Sequence, residues 1–238
     1  MIRSRDLVQL RMELTRFEEA PAARLYGSDA PKTAETAVGI MRLKNLEECI
    51  RTVERDGVAG DIAETGVWRG GAMIYAAAVL ETLGWKWRPR MVWCFDSFEG
   101  LPRPDVAGFP ADEGDPHHSF EWLRVPLETV QANFCRYEID LAAVRFVKGW
   151  FRDTLPRWIE NHPTIRLAVL RLDGDMYEST MVALEQLYPR LSAGGFLIVD
   201  DWSLSRACAA ALDYRARHYI TDPIVPIDPY SVFWRKQA

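Results

Sequence analysis

An α/β architecture is encoded here, one domain built on a mostly parallel sheet with helices on both faces. Two observations point to it. Apolar runs alternate with amphipathic stretches along most of the 238 residues. The runs DIAET (61–65), MVWCFD (91–96), VRFVKG (144–149), LAVLRLD (167–173) and FLIVDD (196–201) are also mostly continuous in their apolar character, as strands buried on both faces are. A helical pattern separates each run from the next, which is what a parallel crossover requires.

Taken in order, residues 1–25 read as a helix, with Leu7, Leu10, Met12 and Leu14 at helical spacing. Residues 26–36 carry Gly, Pro and polar side chains and read as a loop. Thr36 is placed to cap a helix over 37–56. Strand 61–65 leads through a glycine turn into a helix over 71–83, and strand 91–96 follows. Residues 97–120 hold four prolines and show no periodicity, the mark of a functional lid or a disordered insert. Next come a helix over 126–137, strand 144–149, a short helix over 151–158, strand 167–173 and a helix over 178–191. Ala193-Gly194-Gly195 turns into strand 196–201. A helix over 204–218 precedes two short strands, 223–227 and 231–235. Their short turn, Asp228-Pro229-Tyr230, makes them an antiparallel hairpin at one edge of a seven-stranded sheet. The organisation expected is a helical extension or lid over 1–56 and a main domain over 57–238.

Charge and composition exclude several classes. With 29 basic and 34 acidic residues the net charge is −5, which argues against nucleic acid or an anionic membrane surface as a partner. No apolar run reaches the roughly 18 residues of a membrane-spanning helix. Cys49, Cys94, Cys135 and Cys208 are scattered without a CxxC and read as reduced thiols, with no zinc motif. The first twenty residues are charged throughout and lack a signal-peptide core, so a cytoplasmic location is expected.

Ligands of an open parallel sheet bind beyond the carboxyl ends of its strands. Here those ends are Glu64-Thr65-Gly66-Val67-Trp68-Arg69-Gly70-Gly71, Asp96-Ser97-Phe98-Glu99-Gly100, Gly149-Trp150-Phe151, Asp173-Gly174-Asp175 and Asp200-Asp201-Trp202. The first brings a glycine-rich backbone to a helix N-terminus, which favours a negative ligand group. Its G-x-x-x-G-G spacing is not the G-x-G-x-x-G of dinucleotide enzymes, and a plain tight turn is the other reading. Asp96 stands where an acidic residue takes the ribose diol of NAD or S-adenosylmethionine; otherwise it is a solvated loop carboxylate. Trp150 offers a flat face to a purine, or else packs in the core. Asp173 and Asp200 end neighbouring strands about 4.8 Å apart, and Asp201 adds a third carboxylate. Three uncompensated carboxylates call for a hard cation, and an all-oxygen set suits magnesium better than zinc. Helix caps are the alternative, and Asp175, with Glu178 three residues on, reads as one. His117-His118 in the insertion read as a base or substrate contact, or more simply as a solvated pair. His162 and His218 read as surface residues.

The runs GDIAETGVWRGGAMIYAAAVL, FDSFEGLPRPD, VKGWFRDTLP and LRLDGDMYESTMVALEQLYPRLSAGGFLIVDDW together resemble the macrocin O-methyltransferase family over about residues 36–235. The resemblance implies a Rossmann-like class I methyltransferase fold, with 57–238 as the catalytic domain. It implies O-methylation that uses S-adenosylmethionine and magnesium, on a vicinal-diol hydroxyl of a deoxysugar carried by a glycosylated natural product, in antibiotic tailoring. Position by position, it implies that Glu64, Thr65, Gly66 and Gly70 hold the methionine part of the cofactor. Asp96 and Ser97 would contact the ribose, and Gly149 and Trp150 the adenine. Asp173, Asp200 and Asp201 would bind the metal, with Asp173 also at the cofactor and acting as general base. Helical residues near Thr36 would close over the cofactor, and relatives imply a homodimer. The chain departs from the family at Tyr26-Gly27, where Tyr-Pro is common, and at Trp202, where tyrosine is usual. A catechol-type acceptor is the alternative, since ring and sugar diols chelate alike. The missing G-x-G-x-x-G counts against an NAD-dependent oxidoreductase, and the intact acidic residues count against a non-catalytic protein of the same fold.

Overall fold

The computed structural model describes residues 6–29, 31–84 and 89–237. Its sheet runs β3-β2-β1-β4-β5-β7-β6. The strands are β1 (Asp61–Thr65), β2 (Val92–Asp96), β3 (Val144–Lys148), β4 (Leu167–Leu172), β5 (Leu191–Val199), β6 (Val225–Pro226) and β7 (Val232–Arg235). The first five are parallel, while β7 runs antiparallel to β5 and β6 antiparallel to β7. This is the sheet and edge hairpin that the sequence predicts.

Helices cover both faces. On one side α1 (Leu7–Thr15), α3 (Ile40–Arg55), α4 (Gly71–Leu83) and α5 (Leu127–Arg136) share a core with β1 and β2. On the other lie α6 (Phe151–Asn161), α7 (Tyr177–Leu187) and α8 (Ser205–Arg217). Helix α4 is apolar all round and buried from Gly71 to Leu80, so it needs a cover on its outer side too. Leu43, Leu46 and Ile50 of α3 and Leu10 and Leu14 of α1 join the cluster that supplies it.

Several boundaries differ from the sequence reading. Of the predicted helix over 1–25, the first five positions lie outside the described residues. The rest breaks at Arg16, whose φ is 50°, into α1, a single 3-10 turn and α2 (Pro21–Tyr26). Pro21 starts the new helix because its fixed φ suits a first turn. Thr36 does not cap α3: its hydroxyl accepts from Val38 N at 3.0 Å, and the helix begins at Ile40 after Gly39. Helix α7 stops at Leu187, followed by a 3-10 turn, and β5 begins at Leu191. Ala193-Gly194-Gly195 is therefore a bulge inside a strand, with Leu191 paired to Leu167 and Phe196 to Val169. The 97–120 segment carries short 3-10 turns at Pro110–Asp112 and His117–Ser119 rather than disorder.

Candidate active site

A cavity of about 560 Å³ opens over the carboxyl ends of β1 to β5. Gly66 makes its floor possible. Its φ is 87°, and a Cβ there would lie 1.6 Å from the carbonyl oxygen of Asp173, so only glycine lets the β1 turn cross the end of β4. Asp96, at the tip of β2, braces the same turn. Its Oδ2 accepts from Val67 N at 2.7 Å and Trp68 N at 3.2 Å, and its Oδ1 from Phe98 N at 2.7 Å. Ser97 Oγ stands 3.5 Å from Oδ1 but is much closer to Gly100 O, at 2.6 Å; a carboxylate has about four acceptor sites, so room remains for a ligand hydroxyl. Burial pushes the Asp96 carboxyl up, and the three N–H groups act against it.

Glu64, Gly66, Ser97, Gly149 and Trp150 line the cavity. Two predicted contacts do not. Thr65 is buried in the sheet, and Gly70 caps α4 with a Cβ position 2.8 Å from the Phe134 ring. Trp68 stands at the wall with its indole N–H donating to Trp122 O at 2.9 Å and its ring edge-on to Trp122.

Asp173, Asp200 and Asp201 meet as their strands predict: one oxygen from each lies within 4.8 Å of the others. They are not uncompensated, and this corrects the sequence reading. Arg171, a fully buried residue of β4, donates to Glu64 Oε1 and to Asp173 Oδ2 (2.7 Å) and pairs with Asp200. Arg42 of α3 reaches Asp200 Oδ2 at 2.5 Å and Asp228 Oδ2 at 2.7 Å. Even so, Glu64, Asp173, Asp175, Asp200 and Asp201 set five carboxylates against two guanidinium groups. Their acidities show the excess. Burial lifts Glu64 to about 8 and Asp173 to about 6; burial together with the Asp173 charge lifts Asp175 to about 7. Asp201 rises well above the usual range for the same reasons. Asp200 alone falls, because Arg171 and Arg42 outweigh its burial.

The cluster fits a hard divalent cation. Oxygens bound to calcium stand up to about 5 Å apart and those bound to magnesium, at about 2.0–2.1 Å, up to about 4.2 Å, so three oxygens within 4.8 Å of one another need close by only about half an ångström to share a magnesium ion. Glu64 Oε2 is buried without a hydrogen-bond partner. Asp200 Oδ1 also lacks one, since Arg171 Nη2 meets it as an ion pair off the hydrogen-bond axis.

Other predicted residues take different places. Asp175 is not the cap of α7: its φ is 60° and its N–H donates to Asp201 Oδ2 at 2.9 Å. Glu178 pairs with Arg152 instead of closing a capping box. His117 bonds Asp115 Oδ1 at 2.9 Å and His118 bonds Asp115 O at 3.2 Å, and neither lines the cavity. Arg42, Arg171 and Asp112 were missed. Arg171 left a signal, a lone charge inside the apolar run LAVLRLD, whereas Arg42 left none, because its partners lie 158 and 186 positions away.

Comparison with known proteins shows the family and the fold. The chain is 52% identical over 216 residues to the 8-demethyl-8-(2,3-dimethoxy-alpha-L-rhamnosyl)-tetracenomycin-C 4'-O-methyltransferase of Streptomyces olivaceus, covering 90% of this chain and 80% of that protein. It is 47% identical over 219 residues to the mycinamicin III 3''-O-methyltransferase of Micromonospora griseorubida, covering 91% and 84%. Its structure resembles that of the O-methyltransferase NovP with a TM-score of 0.91 at 38% identity, over 98% of each chain. The class I methyltransferase fold expected from the sequence is thus the fold observed. The sequence model of the macrocin-O-methyltransferase (TylF) family spans residues 3–236, and with relatives this similar over most of its length the chain belongs to that O-methyltransferase family.

Proposed function

We propose that this enzyme methylates one hydroxyl of a vicinal diol on a deoxysugar of a glycosylated natural product, using S-adenosylmethionine and a magnesium ion held by Asp173, Asp200 and Asp201. The observation that carries the reading is the meeting of Asp173, Asp200 and Asp201, one oxygen of each within 4.8 Å of the others, on a cavity floor with more carboxyl groups than guanidinium groups and beside a braced glycine turn. Both named relatives support the sugar: one acts on a rhamnosyl tetracenomycin and the other on mycinamicin III. In the first, by its name, methoxy groups stand at positions 2 and 3 and the methyl goes to 4', so an ether oxygen next to the reacting hydroxyl also fits the chelating role.

When bound, S-adenosylmethionine supplies an electrophilic methyl group on a sulfonium, and the cation polarises the acceptor hydroxyl and fixes its place. The chain does the rest. The Gly66 turn and Glu64 hold the amino-acid end of the cofactor, Asp96 and Ser97 its ribose, and Gly149 and Trp150 its purine. Asp173 is the general base. Arg171 occupies its Oδ2, and burial, which lifts the pKa of this carboxyl to about 6 in the metal-free protein, makes it a stronger base than a solvated carboxylate. Trp68 and Trp122 wall the site from bulk water.

Isothermal titration with S-adenosylhomocysteine and magnesium, together with mass spectrometry for a gain of one methyl group, tests the proposal. Glycosylated natural products and catechols form the acceptor panel. Asp173→Asn, Asp200→Asn and EDTA should each abolish turnover while S-adenosylhomocysteine still binds. Full activity in metal-free buffer would overturn the metal reading, and methylation of catechols alone would overturn the sugar. A homodimer is part of the proposal and predicts a solution mass of twice the chain. All four thiols are free, which fits a cytoplasmic enzyme. No helix among the described residues is long and apolar enough to cross a membrane.

A further inference from the structure

Helix α7 begins right after Asp173-Gly174-Asp175-Met176, the loop that joins two of the carboxylates at the cavity floor. Its own N-cap, Met176, has no side chain to satisfy the first N–H groups. The cap comes from 65 positions away. Asp112, in the 97–120 insertion, is fully buried, and its Oδ1 accepts from Tyr177 N and its Oδ2 from Glu178 N, both at 2.8 Å. A charged residue with no exposure is rarely there by accident.

The loop that this cap terminates is under constraint. Asp175 holds a left-handed φ of 60°, which costs a non-glycine residue energy and persists only when its surroundings enforce it. At the near end Asp173 N donates to Thr65 O at 2.9 Å, fixing the loop to β1. At the far end the cap fixes Tyr177 and Glu178. Between these anchors the Asp175 N–H donates to Asp201 Oδ2 at 2.9 Å and so aims Asp201 towards Asp173 and Asp200. Asp112 is itself gripped from outside. Arg206 of α8 donates to Ala111 O at 3.1 Å and Glu113 O at 2.7 Å, one residue to either side of it.

We infer that Asp112 is a positioning residue for the cation site, fixing the Asp173–Asp175 loop, and through it Asp201, by capping α7 from the insertion. The inference rests on the cation reading above. It gives the insertion a role other than that of a lid: a brace whose removal loosens the ligands without removing any of them.

Titration of magnesium into the full-length protein saturated with S-adenosylhomocysteine, followed by calorimetry, tests it. Asp112→Ala should weaken magnesium binding about tenfold, the scale seen when groups that orient ligands are lost. Asp112→Asn should weaken it too, because its amide places a donor against one of the two N–H groups. Affinity for S-adenosylhomocysteine without magnesium should change by less than about twofold, since the groups proposed to hold it lie at the ends of β1, β2 and β3, and Asp173 keeps its own anchor on Thr65 O. Arg206→Ala keeps Asp112 and removes the grip on Ala111 O and Glu113 O, together with a 3.7 Å ion pair to Asp115. It should weaken magnesium binding in the same direction by a smaller factor, and it serves if the Asp112 variants do not fold. Folded Asp112 variants that melt at a lower temperature yet bind magnesium as the parent does would overturn the inference, leaving a purely structural cap. If only Arg206→Ala folds, unchanged magnesium affinity in it would overturn the inference equally. Failure of the parent to bind magnesium at all would instead overturn the cation reading on which this one stands.

Discussion

Asp96 accepts the N–H groups of Val67, Trp68 and Phe98, so its carboxylate is both a strut for the β1 turn and a wall of the cavity. Asp96→Ala should raise the S-adenosylhomocysteine dissociation constant at least tenfold, about 1.4 kcal/mol, in a calorimetric titration. An unchanged constant would remove Asp96 from the site. Its place at a strand end was legible in the sequence, because the end of an apolar run is. Its work as a strut was not, because the N–H donors come from a turn 28 and 29 positions earlier. Gly66 has the same history. Its glycine-rich context was plain, but the contact with the Asp173 carbonyl arises only once β1 and β4 lie side by side. Gly66→Ala meets that carbonyl and must also hold a left-handed backbone. It should cost at least ~2 kcal/mol and lower the thermal midpoint by about 4–8 °C.

Helices α1, α3 and α4 are joined by a polar knot in an otherwise apolar packing. Glu47 of α3 accepts from Arg11 of α1 and from Tyr75 of α4, and from Arg51 on its own helix. Burial alone would raise the Glu47 carboxyl, but the Tyr75 hydrogen bond, then Arg51 and Arg11, bring it below its ordinary value. A carboxyl lowered on folding adds stability above its unfolded pKa, and that stability is lost as pH falls through the folded value. Glu47→Gln should therefore melt earlier than the parent at pH 7. The gap should close as the pH falls below ~4, where the parent carboxyl is protonated as well. Periodicity located these three helices to within a few residues, apart from the break at Arg16. It failed at Ala193-Gly194-Gly195, where two glycines read as a turn. They form a bulge instead, because a Cβ on Gly195 would stand 2.7 Å from Ala168 O, and the backbones must come that close for β5 to pair with β4. Composition cannot separate a turn from a bulge when both need the same small residue.

Arg42 ties distant parts of the chain together. From α3 it binds Asp200 beyond β5, Asp228 in the turn before β7, and Tyr26 O at the end of α2. All three charged groups are buried. Arg42→Ala would leave Asp228 without a guanidinium and Asp200 with Arg171 alone, and should destabilise the protein by about 3 kcal/mol, read by chemical denaturation. The seven strands, their antiparallel edge and the acidic rim all follow from local pattern and were read from it. What joins them was not, since ion pairs spanning 107 to 186 positions leave no periodic trace. The cavity has one more property. Of nine tryptophans, Trp68, Trp122 and Trp150 stand in its wall, while Trp93, Trp158 and Trp234 are packed in the core. A purine bound as proposed against the first group would change the surroundings of their indoles and leave those of the second group as they are. Titration with S-adenosylhomocysteine should therefore change the intrinsic emission, and an unchanged spectrum would count against the placement of Trp150 at the purine.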